Sequence, residues 1–274
     1  MSGISGARRR ARPGWLALAV APALVLLLLP IAAVYLRLDV RTVLAKLAEP
    51  EIVDALRLSL ITSILATVVV MVLGTPLAYL LATRRFPGRR WLEALVDLPM
   101  VLPPTVAGFA LLMAFGRAGL AGGALGAFGV SLPFTTAAVI VAQAFMAAPF
   151  YVSAARAGFQ GVDVRLLEAA ASLGADERAR FVRVMVPLAA PALAAGATMT
   201  FARALGEFGA TITFAGNLPG STRTLPLAVY VALQSDLDAA LVLSALLLAV
   251  SLALLLSLRG ALSRPAWMGS DASR

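Results

Sequence analysis

Arg203 and Glu207 stand four residues apart in a run, from Ala189 to Phe214, that is otherwise free of charge. A charge inside a bilayer is costly, so an ionisable pair in such a run marks a structural contact or an ion path. Four-residue spacing puts both on one face of a helix, where each neutralises the other, and this favours the structural pair. The sharper alternative is that Arg203 attracts an anion while Glu207 sets its position or gates its path. Thr198, Thr200, Thr211 and Thr213 add hydroxyls on the same run, and Gly206 and Gly209 allow close helix approach. Most such hydroxyls are expected to bond to their own helix backbone instead. The rest of the chemical alphabet is sparse. The 274 residues contain no histidine and no cysteine, which removes the commonest general base, proton relay, thiol nucleophile and metal ligands. Lys46 is the only lysine and lies in LeuAlaLysLeuAla, so no P-loop lysine is available to reach nucleotide phosphates. These observations point away from an enzyme, with no cofactor and no cation-binding metal site.

The elements that carry these residues must be membrane spans. With 61% hydrophobic and 14% charged residues, too little polar surface remains to wrap a water-soluble globule. A bilayer crossing needs roughly 20 apolar residues in a helix. Six runs qualify or come close: Trp15 to Leu36, Leu58 to Ala82, Leu98 to Phe115, Pro133 to Ala155, Ala189 to Phe214 and Ala239 to Leu258. The third opens with Pro99, Pro103 and Pro104 and is expected to enter irregularly, and the fourth is expected to kink at Pro149. The Gly-rich stretch Gly116 to Gly129 offers a GxxxG pattern at Gly119 and Gly123, but its place between spans reads as a flexible or re-entrant connection. The fold class is therefore an all-α membrane protein with about six transmembrane helices.

The net charge of +9 could suggest nucleic acid, but the basic residues sit between the apolar runs and signal topology instead. With the N-terminus in the cytoplasm, sixteen arginines fall on the inner side, among them Arg8, Arg84, Arg156, Arg183 and Arg259, against six basic residues outside. Both termini are thus expected in the cytoplasm. The first run exceeds the roughly 7–15-residue core of a signal peptide and reads as a retained anchor. Residues 1–14 form a basic cytoplasmic N-terminus, 15–258 one transmembrane domain with a cytoplasmic loop over 156–187, and 259–274 a cytoplasmic tail.

That loop is unlike the others. From Gly161 to Gly174 the periodicity predicts a short amphipathic helix, with Val164, Leu167, Ala171 and Leu173 on or near one side and Arg165, Glu168 and Ser172 on another. Gly174 permits a sharp turn, Asp176 and Glu177 suit the next helix start, and Pro187 marks re-entry into the membrane. Such a helix calls for a partner on the cytoplasmic face.

Glu168, Ala169 and Ala170, then Gly174 after three residues, then Val184, Val186 and Pro187 match the EAA loop of ABC-importer permease subunits. The usual pattern ends Ile-x-Leu-Pro, so Val184 and Val186 depart mildly from it. The resemblance implies a type I ABC-importer architecture and a coupling helix that docks on an ATP-hydrolysing subunit, with Glu168, Ala169, Ala170, Gly174 and Pro187 as the matching positions. It further implies a homodimer with two ATP-binding cassette subunits below and an extracytoplasmic oxyanion-binding protein above.

Within that family, Ala202 to Gly220, ThrArgThrLeuProLeuAlaValTyr ending at Tyr230, and Asp97 to Gly108 resemble molybdate permease subunits. Sulfate and thiosulfate permeases share LeuGlyGluPheGlyAla and the EAA loop, whereas Asn217 to Pro226 is closer to the molybdate form. Tungstate is not separable from molybdate by these residues. What the resemblance implies is an inner-membrane permease subunit for molybdate; the residue chemistry of the fifth run makes Arg203, Glu207, Thr211 and Thr213 the candidates for the path. An ion-coupled carrier or channel is the reading from another class, and it leaves the EAA spacing unexplained.

Overall fold

The computed structural model describes residues 14–262, with side chains described from 20 to 256. Arg8, Arg9, Arg10 and Arg12 of the basic N-terminus and Arg264 and Arg274 of the tail lie outside the described residues. Helix α1 (Gly14–Leu36) runs through Pro22 and Pro30 and meets the last helix through the Tyr35 hydroxyl, which donates to the Ala245 carbonyl at 3.0 Å. Helix α2 (Val40–Leu47) turns away by 78°. Its start is capped by the Asp39 carboxylate, which accepts from the Thr42 N–H at 3.2 Å.

Helix α3 (Pro50–Thr83) is 34 residues long and begins eight residues before the expected span. At about 1.5 Å per residue it exceeds a roughly 30 Å hydrocarbon core. Pro50 explains the early start, since its fixed φ and missing N–H suit the first turn of a helix. Glu51, Asp54 and Arg57 therefore ride on a helical extension rather than in a loop.

The third run is broken. Helices α4 (Arg89–Val101) and α5 (Pro104–Phe115) are bent by 119° at the Pro103–Pro104 step. Proline disfavours helical geometry in the residue before it, and two in a row stop the helix. Beyond α5 the Gly-rich stretch folds into a short exposed helix, α6 (Gly122–Ala127). Helix α7 (Thr136–Gln160), capped by the Thr135 hydroxyl, runs unbroken through Pro149.

Two short helices, α8 (Val164–Ser172) and α9 (Glu177–Arg180), follow α7. The chain then passes through a π-helical turn, Phe181–Met185, into α10 (Val186–Leu205). The helical stretch that leads back into the bundle starts at Glu177, ten residues before Pro187, because Glu177–Leu205 is continuous. Pro187 cannot donate to the ladder, and the wider π turn just before it relieves the clash of its ring. After Leu205 the helix stops, α11 (Gly209–Phe214) restarts it, and α12 (Leu225–Ser235) occupies what was expected to be loop. Its apolar run was too short to count as a span, yet Leu225 and Leu227 are fully buried. Helix α13 (Leu237–Leu262) closes the bundle.

Four helical stretches are long and apolar enough to cross a membrane by themselves, and the bent pairs α1–α2 and α4–α5 bring the number to six. The core lies where α3, α7 and α10 cross. Ala66, Ala147 and Ala204 are fully buried there, small enough to let backbones approach in a setting where burial from water gives no drive. Toward the arginine-rich end, Tyr151, Val152, Phe159, Leu81 and Met185 fill the space. At the opposite end the sole lysine clamps the periphery. Lys46 Nζ lies 2.7 Å from Asp236 Oδ2 and 2.9 Å from Glu49 Oε1, tying α2 to the α12–α13 corner. The Lys46 hydrogen bond holds the Asp236 carboxyl below its ordinary range.

Candidate functional site

Two regions carry the residues singled out by the sequence, one at the arginine-rich end and one inside the bundle. The first is the loop helix α8. Asp163 caps it, accepting from the Arg165 N–H at 2.9 Å, and that backbone hydrogen bond lowers the Asp163 pKa, helped by the Arg165 side chain. Its far end is a Schellman motif: the Gly174 N–H reaches the Ala171 carbonyl at 2.9 Å and the Ala175 N–H reaches Ala170 at 3.0 Å. Gly174 has φ +85°, a conformation open to glycine at little cost, and a Cβ there would meet nothing within 4 Å. The glycine is thus required by backbone conformation, while the space around it is free. Asp176 then caps α9, accepting from the Ala179 N–H at 2.6 Å.

The expected apolar side of α8 is split. Leu167 packs against the core cluster, but Leu173 is 90% exposed and Val164 and Leu166 are exposed too. Glu168 and Ala169 are exposed and Ala170 half-buried, so the triplet faces outward with Leu173 beside it. Leu173 and Leu166 were missed as surface residues because a helical wheel cannot tell which of two apolar edges faces the protein. Nothing in α8 is fully buried. A shallow recess beside it is lined by Ala170, Leu173, Gly174, Ala179 and Arg183.

The second region is the break after α10. Arg203 and Glu207 do form an ion pair, at 2.7 Å between Nη2 and Oε2, but not along one helix. Arg203 occupies the last turn of α10, where the helix dipole favours a cation, and Glu207 lies past the helix end. Glu207 is 1% exposed, and its other oxygen accepts the Ala210 N–H at 2.9 Å, capping α11. One carboxylate therefore joins the end of one helix to the start of the next. Arg203 keeps 27% of its side chain exposed, with donors to spare.

The threonines divide. Thr198 and Thr213 donate to their own helix, at Ala194 and Gly209, and Thr200 reaches across to the Ala147 carbonyl at 3.4 Å. Thr211 and Thr213 belong to α11, not to the fifth span, and the buried Thr211 hydroxyl has no protein partner. Helix α11 is held tightly against α5. A Cβ on Gly209 would come within 2.6 Å of Pro104, and one on Gly108 within 2.7 Å of the Ala210 carbonyl. Gly206 makes no such approach, since its nearest neighbour is its own helix at 3.7 Å. The structure thus brings Arg203, Glu207 and Thr211 into one interrupted segment and leaves the α8 residues at the far end of the same span.

A bundle of apolar spans with a loop helix outside it and a polar interruption within describes a multi-pass membrane protein. Residues 74–266 match the family described as binding-protein-dependent transport system inner membrane component, and the chain belongs to that family. It is 44% identical over 243 residues to the molybdenum transport system permease protein ModB of Mycobacterium tuberculosis, covering 87% of this chain and 90% of that one. To the sulfate transport system permease protein CysT of Escherichia coli it is 36% identical over 243 residues, covering 87% and 88%. A solved bacterial ABC transporter involved in the import of alginate aligns with a TM-score of 0.74 at 15% identity, covering 92% of this chain and 95% of that one. The fold is that of type I ABC-importer permeases.

Proposed function

We propose that the chain is the permease subunit of an ATP-driven importer that carries molybdate across the inner membrane, with hydrolysis supplied by a partner subunit. The observation that carries the substrate is the 44% identity to a molybdenum permease, against 36% to a sulfate permease over the same share of this chain. The assembly is a homodimer with its path near the two-fold axis, two ATP-binding cassette subunits at the arginine-rich, cytoplasmic end, and an oxyanion-binding protein at the other. Both termini are cytoplasmic.

Exposure of Glu168, Ala169 and Leu173 on a loop helix with no fully buried residue supports α8 as the coupling helix. Closure of the ATPase pair draws the two copies of α8 together. Through Glu177–Leu205, the span that begins three residues after Gly174, that movement reaches the Arg203–Glu207 break. There the exposed part of Arg203 offers positive charge and N–H donors to a tetrahedral oxyanion without enclosing it, as a pore that must also release requires.

The test is ATP-dependent uptake of labelled molybdate in a strain deleted for this gene and then complemented, with sulfate in excess as competitor. Restored molybdate uptake that sulfate barely inhibits is expected. Unchanged molybdate uptake with lost sulfate uptake would transfer the assignment to sulfate, and transport by the purified chain alone in vesicles would point to an ion-coupled carrier or channel.

A further inference from the structure

Where α3 leaves the bundle and α4 begins, Arg84, Arg85, Arg89 and Arg90 fall within seven residues. Arg84 pairs with Glu177 at 2.5 Å, and Arg89 shares Glu93 with Arg156 at 2.9 and 3.1 Å. Five guanidinium groups therefore face two carboxylates, and Arg85 and Arg90 have no ion pair among the described residues. Beside them, Trp91 is 83% exposed. An open recess of about 580 Å³ is lined by Arg85, Phe86, Arg89, Arg90 and Trp91.

Helix α4 has two apolar faces. Leu92 and Val96 pack inward on the core cluster, while Trp91, Leu95 and Leu98, on a second stripe at helical spacing, stay exposed. Leu80, Leu81 and Ala82 of α3 are the last apolar residues before the arginines, so the basic turn lies at headgroup depth and the α4 stripe starts there. A tryptophan at that depth is a typical interfacial anchor.

We propose that this turn binds one anionic phospholipid, its phosphate held by Arg85 and Arg90 and an acyl chain laid along Trp91, Leu95 and Leu98. The charge excess selects the headgroup, and the stripe that follows it along the helix takes the tail. Each unpaired arginine at a membrane surface strengthens association with an acidic lipid about fivefold. A lipid so held braces Arg84, whose partner Glu177 opens the span leading from the loop helix, so lipid composition bears on the coupling end of the molecule. The inference rests on the membrane placement of α3 and α4 and not on which anion is carried.

The chain has three tryptophans, so Trp15→Phe with Trp267→Phe leaves Trp91 as the sole tryptophan, read by excitation that spares the tyrosines. The full chain is reconstituted, without the ATPase subunit, in phosphatidylcholine vesicles with increasing fractions of brominated phosphatidylglycerol or brominated phosphatidylcholine. Quenching by brominated phosphatidylglycerol at a several-fold lower fraction is expected. Arg85→Gln with Arg90→Gln should bring the two lipids to parity, and the Lys replacements should keep the preference. Quenching by brominated phosphatidylcholine in the Gln variant reports that it is inserted. Equal quenching by both lipids in the parent, or a preference that survives the double Gln substitution, overturns the site. Protection of Trp91 from both lipids also overturns it, since a second copy of the chain would then cover the face.

Discussion

Glu207 links two helices through one side chain, and its two oxygens have separable duties. Oε1 accepts the Ala210 N–H and Oε2 faces the Arg203 guanidinium. Glu207→Gln keeps an acceptor for the cap, whereas Glu207→Ala leaves a buried N–H unsatisfied, a loss of about 1–3 kcal/mol. Arg203→Gln strands a carboxylate that is 1% exposed, and the cost is about 3 kcal/mol, at the low end for breaking a buried pair because the guanidinium is 27% exposed. Joining Arg203→Gln to Glu207→Gln should recover most of that loss, as read by thermal unfolding in detergent. If the double variant is stable and still transports normally, Arg203 plays no part in the path. The pair itself was legible from four-residue spacing, but its geometry was not. Glycines on either side of Glu207 and Phe208 weaken the helix, and only the close seat of Gly209 on Pro104 makes the chain restart there.

At the scale of elements, the place of α8, its Gly174 end and the Asp176 start of the next helix were readable because each is a local property, while the Asp163 cap that opens α8 was not singled out. Which edge of it meets the bundle was not readable, because that depends on how α3, α7 and the π turn come together, and Leu167 rather than Leu173 makes the inward contact. The same reasoning explains α12, whose eleven residues are too short to span and too apolar for an exposed loop. It is buried against α3, with the Leu225 N–H donating to Ser59 Oγ at 2.6 Å, a contact that no local pattern announces. For Gly174, conformation and space make different predictions. Gly174→Ala strains the left-handed backbone by about 1–2 kcal/mol but adds only a methyl group, so partial uptake is expected. Gly174→Trp carries a similar strain and projects into the open space beside Leu173, so uptake should vanish at equal expression, as it should in Glu168→Lys. Loss of activity in the Ala variant equal to that in the Trp variant would show that the turn matters and the surface does not.

Taken whole, the molecule places charge by side. Among the described residues, Arg84, Arg85, Arg89, Arg90, Arg156, Arg165, Arg178, Arg180 and Arg183 gather at the end that holds α8, while Arg37, Arg41, Lys46, Arg57, Arg117 and Arg223 sit toward the other, where Lys46 and Arg223 are each paired with an acid. That asymmetry is what retention of positive charge in the cytoplasm would produce. Because the chain has no cysteine, any introduced thiol is unique and reports its own side of the membrane. Ser172 in α8 and Ser131 before α7 are both exposed, and they lie at opposite ends of the bundle. Ser172→Cys should react with a membrane-impermeant maleimide only in inverted vesicles, and Ser131→Cys only in right-side-out ones. Reaction of Ser172→Cys from the outside would put the loop helix beyond reach of any cytoplasmic ATPase, and an importer driven through α8 would then be untenable whatever anion it carries.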